Sequence, residues 1–106
     1  MAARSVFSTS IVISVGLAVA SGHAETVRIA IAGMAFQPAE TSAKIGDTVE
    51  WTNNDILSHT ATASNGDWNV TMPAKAMRRV VLKKAGTVEY YCIFHPNMKG
   101  RIVVSP

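Results

Sequence analysis

At 106 residues, with 10 Lys+Arg against 7 Asp+Glu, three His and one Cys, the chain has room for a single domain. A lone cysteine excludes an intramolecular disulfide framework and any multi-cysteine zinc or iron-sulfur site. The formal charge of +3 is scattered, with no basic run longer than Arg78-Arg79 or Lys83-Lys84, which excludes the footprint of a nucleic-acid binder.

Residues 1–24 read as a secretory signal: Arg4 supplies a positive start, and Ile11 to Ala20 is apolar apart from Ser14 and Gly16. A spanning helix needs about 20 apolar residues, and this run breaks at Ser21-Gly22-His23, with small residues at Gly22 and Ala24 suited to cleavage. The expected cut follows Ala24, with Ala20 as the alternative. Residues 25–106 are then the domain: of 106 residues 82 remain, the charge falls to +2 with the loss of Arg4, and the histidines left are His59 and His95. Export implies an oxidising compartment, in which an exposed free thiol would not survive.

The 82 residues show no sustained 3.6-residue period. Thr26 to Ile31 alternates through Val27, Ile29 and Ile31, and Thr41 to Ile45 runs into the Gly46-Asp47 turn. In Thr48 to Asn53 the alternation sets Val49 and Trp51 on one face, as a half-buried strand requires. Asn53-Asn54-Asp55 is a turn, Ser58 to Ala63 a strand, Ser64-Asn65-Gly66-Asp67 a loop, and Trp68 to Val70 a further short strand. The strand from Met77 gives Val80, Val81 and Leu82; after Lys84-Ala85-Gly86, Thr87 to Cys92 places Val88, Tyr90 and Cys92 on one face, and Ile102 to Val104 closes the chain. About seven short strands so punctuated predict an all-β fold, an antiparallel sandwich or small barrel. A core this small, without disulfides, gains from an added constraint such as a bound metal.

His59, and 33 positions later Cys92-x2-His95-x2-Met98, form one pattern that takes in both remaining histidines and the cysteine. Cys92 ends an inward-facing register, and Pro96 disfavours helical geometry at His95. Two imidazoles and a thiolate in a trigonal set, with a long contact to a thioether, make a blue-copper electron-transfer site; zinc seldom recruits methionine. One copper ion per chain is the expected cofactor.

The stretch from Val88 to Val104, with Met34-Ala35-Phe36-Gln37-Pro38, Gly46 to Asn53 and His59, resembles the cupredoxins, and among them the amicyanin type with its short Cys-x2-His-x2-Met loop. The resemblance covers nearly the whole of residues 25–106. It implies a Greek-key β-sandwich holding one type 1 copper, a bacterial periplasmic location, and single-electron shuttling between larger redox proteins. By position it implies His59, Cys92 and His95 as equatorial ligands and Met98 as the axial one. The chain departs from the common pattern at Thr60, where many cupredoxins carry Asn that ties the two ligand segments together, and at Phe94 and Asn97 around the ligand loop.

His95, flanked by Phe94 and Pro96, is the expected electron port, with donor and acceptor proteins docking transiently around it. A monomer that is not an enzyme, binds no nucleic acid and does not enter the membrane after cleavage completes the expectation. Met34, Met72 and Met77 read as packing residues, Trp51 as core and Trp68 as partly exposed. Lys99 and Arg101 fit either an acidic partner or a solvated strand edge. A copper-delivery protein is the alternative function, although the chain has no exposed Met/His-rich tract; a hydrolase using Cys92 and His95 lacks an orienting third group and leaves Met98 without a role.

Overall fold

The computed structural model describes residues 23–106. The expected signal at 1–24 and its alternative cut after Ala20 lie outside the described residues, apart from His23 and Ala24. Among the described residues no helix is long and apolar enough to cross a membrane.

The described residues form nine strands: β1 Thr26–Ala32, β2 Ala35–Gln37, β3 Glu40–Lys44, β4 Thr48–Asn53, β5 His59–Ala63, β6 Asn69–Met72, β7 Met77–Val81, β8 Gly86–Tyr91 and β9 Lys99–Ser105. They pack as two sheets, β2-β1-β4-β7 and β3-β9-β8-β5-β6. The all-β sandwich expected from the sequence, with about seven strands, is the fold, and eight of its nine strands fall on segments read from the sequence. The addition is β2, a three-residue strand whose partner is fixed by the hairpin it closes rather than by a pattern of its own. The predicted strand at Trp68 to Val70 begins one residue later and runs to Met72. The pairing is not purely antiparallel: β1 lies parallel to β4, and β3 parallel to β9. Turn residues mark where strands stop, but the chain crosses to the other sheet between β2 and β3 and returns at β4, and no local signal encodes that choice.

Gly33 and Met34 form the two-residue β1–β2 turn, both with positive φ (59° and 62°), as the twist of a tight hairpin demands. Glycine takes this conformation freely; methionine takes it at a cost. Asp55 offsets that cost by accepting the Gly33 and Met34 amide N–H groups, at 2.8 and 3.0 Å.

Inward-facing side chains of both sheets make the core: Ile29 and Ile31 from β1, Val49 and Trp51 from β4, Met72 from β6, Tyr90 from β8 and Ile102 from β9. Alternation on β4 and β8 is as the sequence predicts, with Val49, Trp51, Val88, Tyr90 and Cys92 all buried. The Tyr90 ring lies over Gly100, its cross-strand partner, in space that a Cβ there would need. Met72 is a core residue as expected, but Met34 and Met77 are about two-fifths exposed and fill no core gap. Arg101 sits on β9, an interior strand of its sheet, paired with Glu40 and Glu89 at 3.0 Å each, so it belongs to an ion-pair ladder on the outer face rather than to a strand edge.

In this topology the start of β5, the end of β8 and the start of β9 lie at the same end of one sheet, because β8 runs antiparallel to both of its neighbours. His59, Cys92 and the loop to Met98 therefore meet.

Candidate metal centre

His59 opens β5, fully buried; Cys92 follows the last residue of β8, also fully buried. The loop between β8 and β9 is a pair of successive tight turns. The His95 N–H donates to the Cys92 carbonyl (3.2 Å), the Met98 N–H to the His95 carbonyl (2.9 Å), and the Cys92 N–H closes the loop on the Met98 carbonyl (3.1 Å). Each x2 interval in the sequence is thus one turn, and the turns bring Cys92, His95 and Met98 to one side. Met98 is buried and shares a cleft with His95, Phe94, Pro96 and Met34.

Both imidazoles turn Nδ1 toward the sulfur: Cys92 Sγ lies 3.8 Å from His59 Nδ1 and 3.7 Å from His95 Nδ1. The three ligand atoms fall within 4.8 Å of one another. For metal–sulfur and metal–nitrogen bonds of about 2.3 and 2.05 Å, an angle of about 120° sets the two atoms about 3.8 Å apart, and a tetrahedral angle about 3.6 Å. The two sulfur–nitrogen spacings fit one metal shared by the thiolate and both imidazoles, and that donor chemistry, with a thioether nearby, suits copper.

With Nδ1 facing the sulfur, His59 Nε2 carries the proton and donates to Asp55 Oδ2 at 2.9 Å. Asp55 thus holds a ligand and the Gly33-Met34 turn together. The Met34 amide holds its carboxyl below the usual carboxylate range; partial burial opposes this, while His59 and Gly33 add to it. Asn53, fully buried at the end of β4, fixes the intervening loop: its Oδ1 accepts the Asp55 N–H (3.0 Å), and its Nδ2 donates to the carbonyls of Leu57 (2.8 Å) and Met72 (3.1 Å). From the sequence alone Asn53 is a strand end and Asp55 a turn residue, with no site role for either. An Asp four residues before a candidate ligand histidine was the available signal.

Thr60 ties the two ligand segments together. Its backbone N–H donates to the Cys92 sulfur (3.3 Å), and its hydroxyl oxygen accepts the Ile93 N–H (2.8 Å). Because the Thr62 hydroxyl is committed to Asn69 Oδ1 (2.8 Å), the Thr60 hydroxyl donates to Thr62 Oγ1 (2.9 Å). The expected bridging role of this position is filled, with the hydroxyl oxygen acting as acceptor toward the ligand loop.

All four residues singled out in the sequence, His59, Cys92, His95 and Met98, therefore lie at one end of the sandwich, the first three with their donor atoms together. This fold and donor set define a cupredoxin. The profile of the family described as "Cupredoxin-like domain" matches residues 5–104, and the chain belongs to that family. It is similar to amicyanin-alpha of Methylorubrum extorquens, 33% identical over 111 residues that cover 97% of this chain and 93% of that protein. Among solved structures it is similar to the reduced state of a proline-to-phenylalanine amicyanin mutant, with a TM-score of 0.67, 30% identity, and coverage of 76% of this chain and 82% of that one. A purple cupredoxin from Nitrosopumilus maritimus matches with a TM-score of 0.66 and 26% identity over 74% of this chain and 99% of that one.

Proposed function

We propose that this chain is an exported single-electron carrier in which His59, Cys92, His95 and Met98 would hold one type 1 copper ion. The observation that carries the reading is a fully buried cysteine sulfur with two imidazole Nδ1 atoms at 3.7 and 3.8 Å from it. Copper bound there supplies a one-electron Cu(II)/Cu(I) couple. The protein's part is to keep the ligands still: Asp55 fixes the His59 ring, the Thr60 amide and hydroxyl fix Cys92 and Ile93, and the two turns fix His95 and Met98. Ligands held by the fold have little to rearrange when the charge changes.

Of the four, His95 alone is more than slightly exposed. Its ring edge is therefore the port. The loops at this end present Met34, Ile56, Leu57, Ile93 and Phe94, each at least 39% exposed. An apolar collar of this kind suits brief docking of donor and acceptor proteins, and the chain acts as a monomer between them. A sulfur with no exposure has no access to a substrate carbonyl, which favours a carrier over an enzyme.

The periplasm is the proposed location, reached by way of the signal at 1–24. Asp47 Oδ1 accepts the backbone N–H of Glu25 at 2.9 Å. Cleavage after Ala24 turns that nitrogen into an α-ammonium facing a carboxylate, which supports this cut over the one after Ala20. Electron carriage is tested by cycling the copper-loaded protein with ascorbate and ferricyanide in the presence of a Cu(I) chelator. A visible band that bleaches and returns with copper retained is expected. Loss of the copper to the chelator at the first reduction would instead support delivery.

A further inference from the structure

Three redox-active rings connect the ligand cysteine to the far pole of the sandwich. Tyr90 precedes Cys92 by two residues on the same inward face, about 7 Å along the strand. The Tyr90 ring centroid lies 5.4 Å from Trp68 and 5.6 Å from Trp51, and the two indoles are 5.0 Å apart. Trp51 and Tyr90 are buried, whereas Trp68 is half-buried. Trp68 lines an open cleft of about 660 Å³ with Val80, Val81 and Leu82, and Lys83 and Lys84 also border it. Leu82 follows the end of β7, away from the ligand loops.

A second observation bears on the same rings. Trp51 Nε1 and Tyr90 Oη are the buried side-chain polar atoms left without a hydrogen bond among the described residues. Leaving such a group unpaired costs about 1–3 kcal/mol, and a native structure that keeps two side by side calls for a reason. An oxidised phenol or indole traps its charge by losing a proton. Among the described residues neither inner ring has a hydrogen-bond acceptor for that proton, so neither ends the passage of an electron.

We propose that Trp68, Trp51 and Tyr90 form a protective overflow path, by which a small oxidising anion radical arriving in the cleft is quenched with the electron stored in the reduced copper centre. The inference rests on the electron-carrier reading above. The oxidant takes one electron from Trp68, and the vacancy is refilled through Trp51 and Tyr90 from the Cys92 side. The net change is one electron lost by Cu(I) and one gained by the oxidant, with no bond formed or broken and every indole proton in place. An oxidised indole is a far stronger oxidant than a type 1 copper centre, so the path carries electrons only outward to Trp68 and leaves ordinary exchange to His95. Asp67 on the same rim is paired with Lys84 at 3.2 Å, so Lys83 supplies the net positive charge that favours an anion.

Pulse radiolysis with the carbonate radical anion tests this, using copper-free and Cu(I)-loaded protein mixed with N-acetyltryptophanamide as an external reporter. The indole radical should decay in the Cu(I) form with a first-order rate independent of protein concentration, as the thiolate-to-copper band rises at the same rate. It should persist in the copper-free form. Peptide mass spectrometry should show oxidised Trp68 falling severalfold on loading while the reporter is oxidised as before. Trp68→Phe should remove the fast phase and leave the static visible spectrum unchanged. A decay rate that scales with protein concentration, or equal damage to Trp68 in both forms, would overturn the proposal. A Cu(II)-loaded protein without the visible band would overturn the copper reading itself, so the two failures are distinct.

Discussion

Replacing Asp55 by Ala removes one carboxylate that accepts from His59 Nε2, the Gly33 amide and the Met34 amide at 2.9, 2.8 and 3.0 Å. Hydrogen bonds to a charged group contribute about 1.5–3 kcal/mol when buried. The Asp55 side chain is 17% exposed and the turn amides lie near water, so the low end applies. The copper-free domain should lose about 1–2 kcal/mol, which for a domain of this size lowers Tm by about 4–8 °C per kcal/mol. The effect on the metal is separate. Loss of the outer partner of a ligand histidine weakens metal binding about 10–100-fold, or about 1.4–2.7 kcal/mol. Competition with a chelator of known affinity reads this directly, and thermal unfolding of the copper-free protein reads the turn. Asp55→Asn keeps one acceptor oxygen and should fall between. Copper affinity unchanged within twofold in a folded Asp55→Ala protein would refute the role of Asp55 in holding His59.

Thr60→Val leaves the Ile93 amide without its acceptor and should destabilise the domain by about 1–3 kcal/mol. Thr60→Ser should restore both stability and the visible spectrum, and a Val variant as stable as the parent in urea titration would contradict the bridge. Gly100→Ala places a methyl group where the Tyr90 ring sits and should cost about 1–3 kcal/mol by forcing that ring aside, read as a lower unfolding midpoint. The Glu25 and Lys44 amides hold the Asp47 carboxyl below its ordinary range. Its contribution is therefore complete above the unfolded value of about 3.9 and is lost as pH falls through the lower folded value. Asp47→Asn should flatten the loss of stability on acidification below about pH 4. A protein beginning at Glu25 should melt higher than one with an extra leading Ala, and Asp47→Asn should erase that difference.

Period-two alternation in β1, β4 and β8 reports which side chains face inward, so the core, including Trp51, Tyr90 and Cys92, was legible in the sequence. The Cys92-x2-His95-x2-Met98 spacing was legible as well, because each interval is a single turn of backbone. Other features depend on partners distant in the chain. The parallel pairings β1–β4 and β3–β9 follow from a crossover with no local signature. Asp55 looks like any turn residue until the β1–β2 hairpin, 21 and 22 residues earlier, presents its amides to it. Methionine usually packs, yet Met34 is half of a tight turn beside the ligand loop and Met77 opens an edge strand. Arg101 resembled a free surface charge until its two glutamate partners arrived from neighbouring strands.

The central claim is that the Cys92 sulfur bonds directly to copper. Its most direct test is the visible absorption spectrum of the exported domain after addition of Cu(II), compared with that of Cys92→Ser treated identically. An intense thiolate-to-copper band is predicted in the parent protein and its complete loss in the serine variant, with the β-sheet circular dichroism of both unchanged. A band that persists in Cys92→Ser, or its absence from correctly processed parent protein with a reduced thiol, would contradict the account.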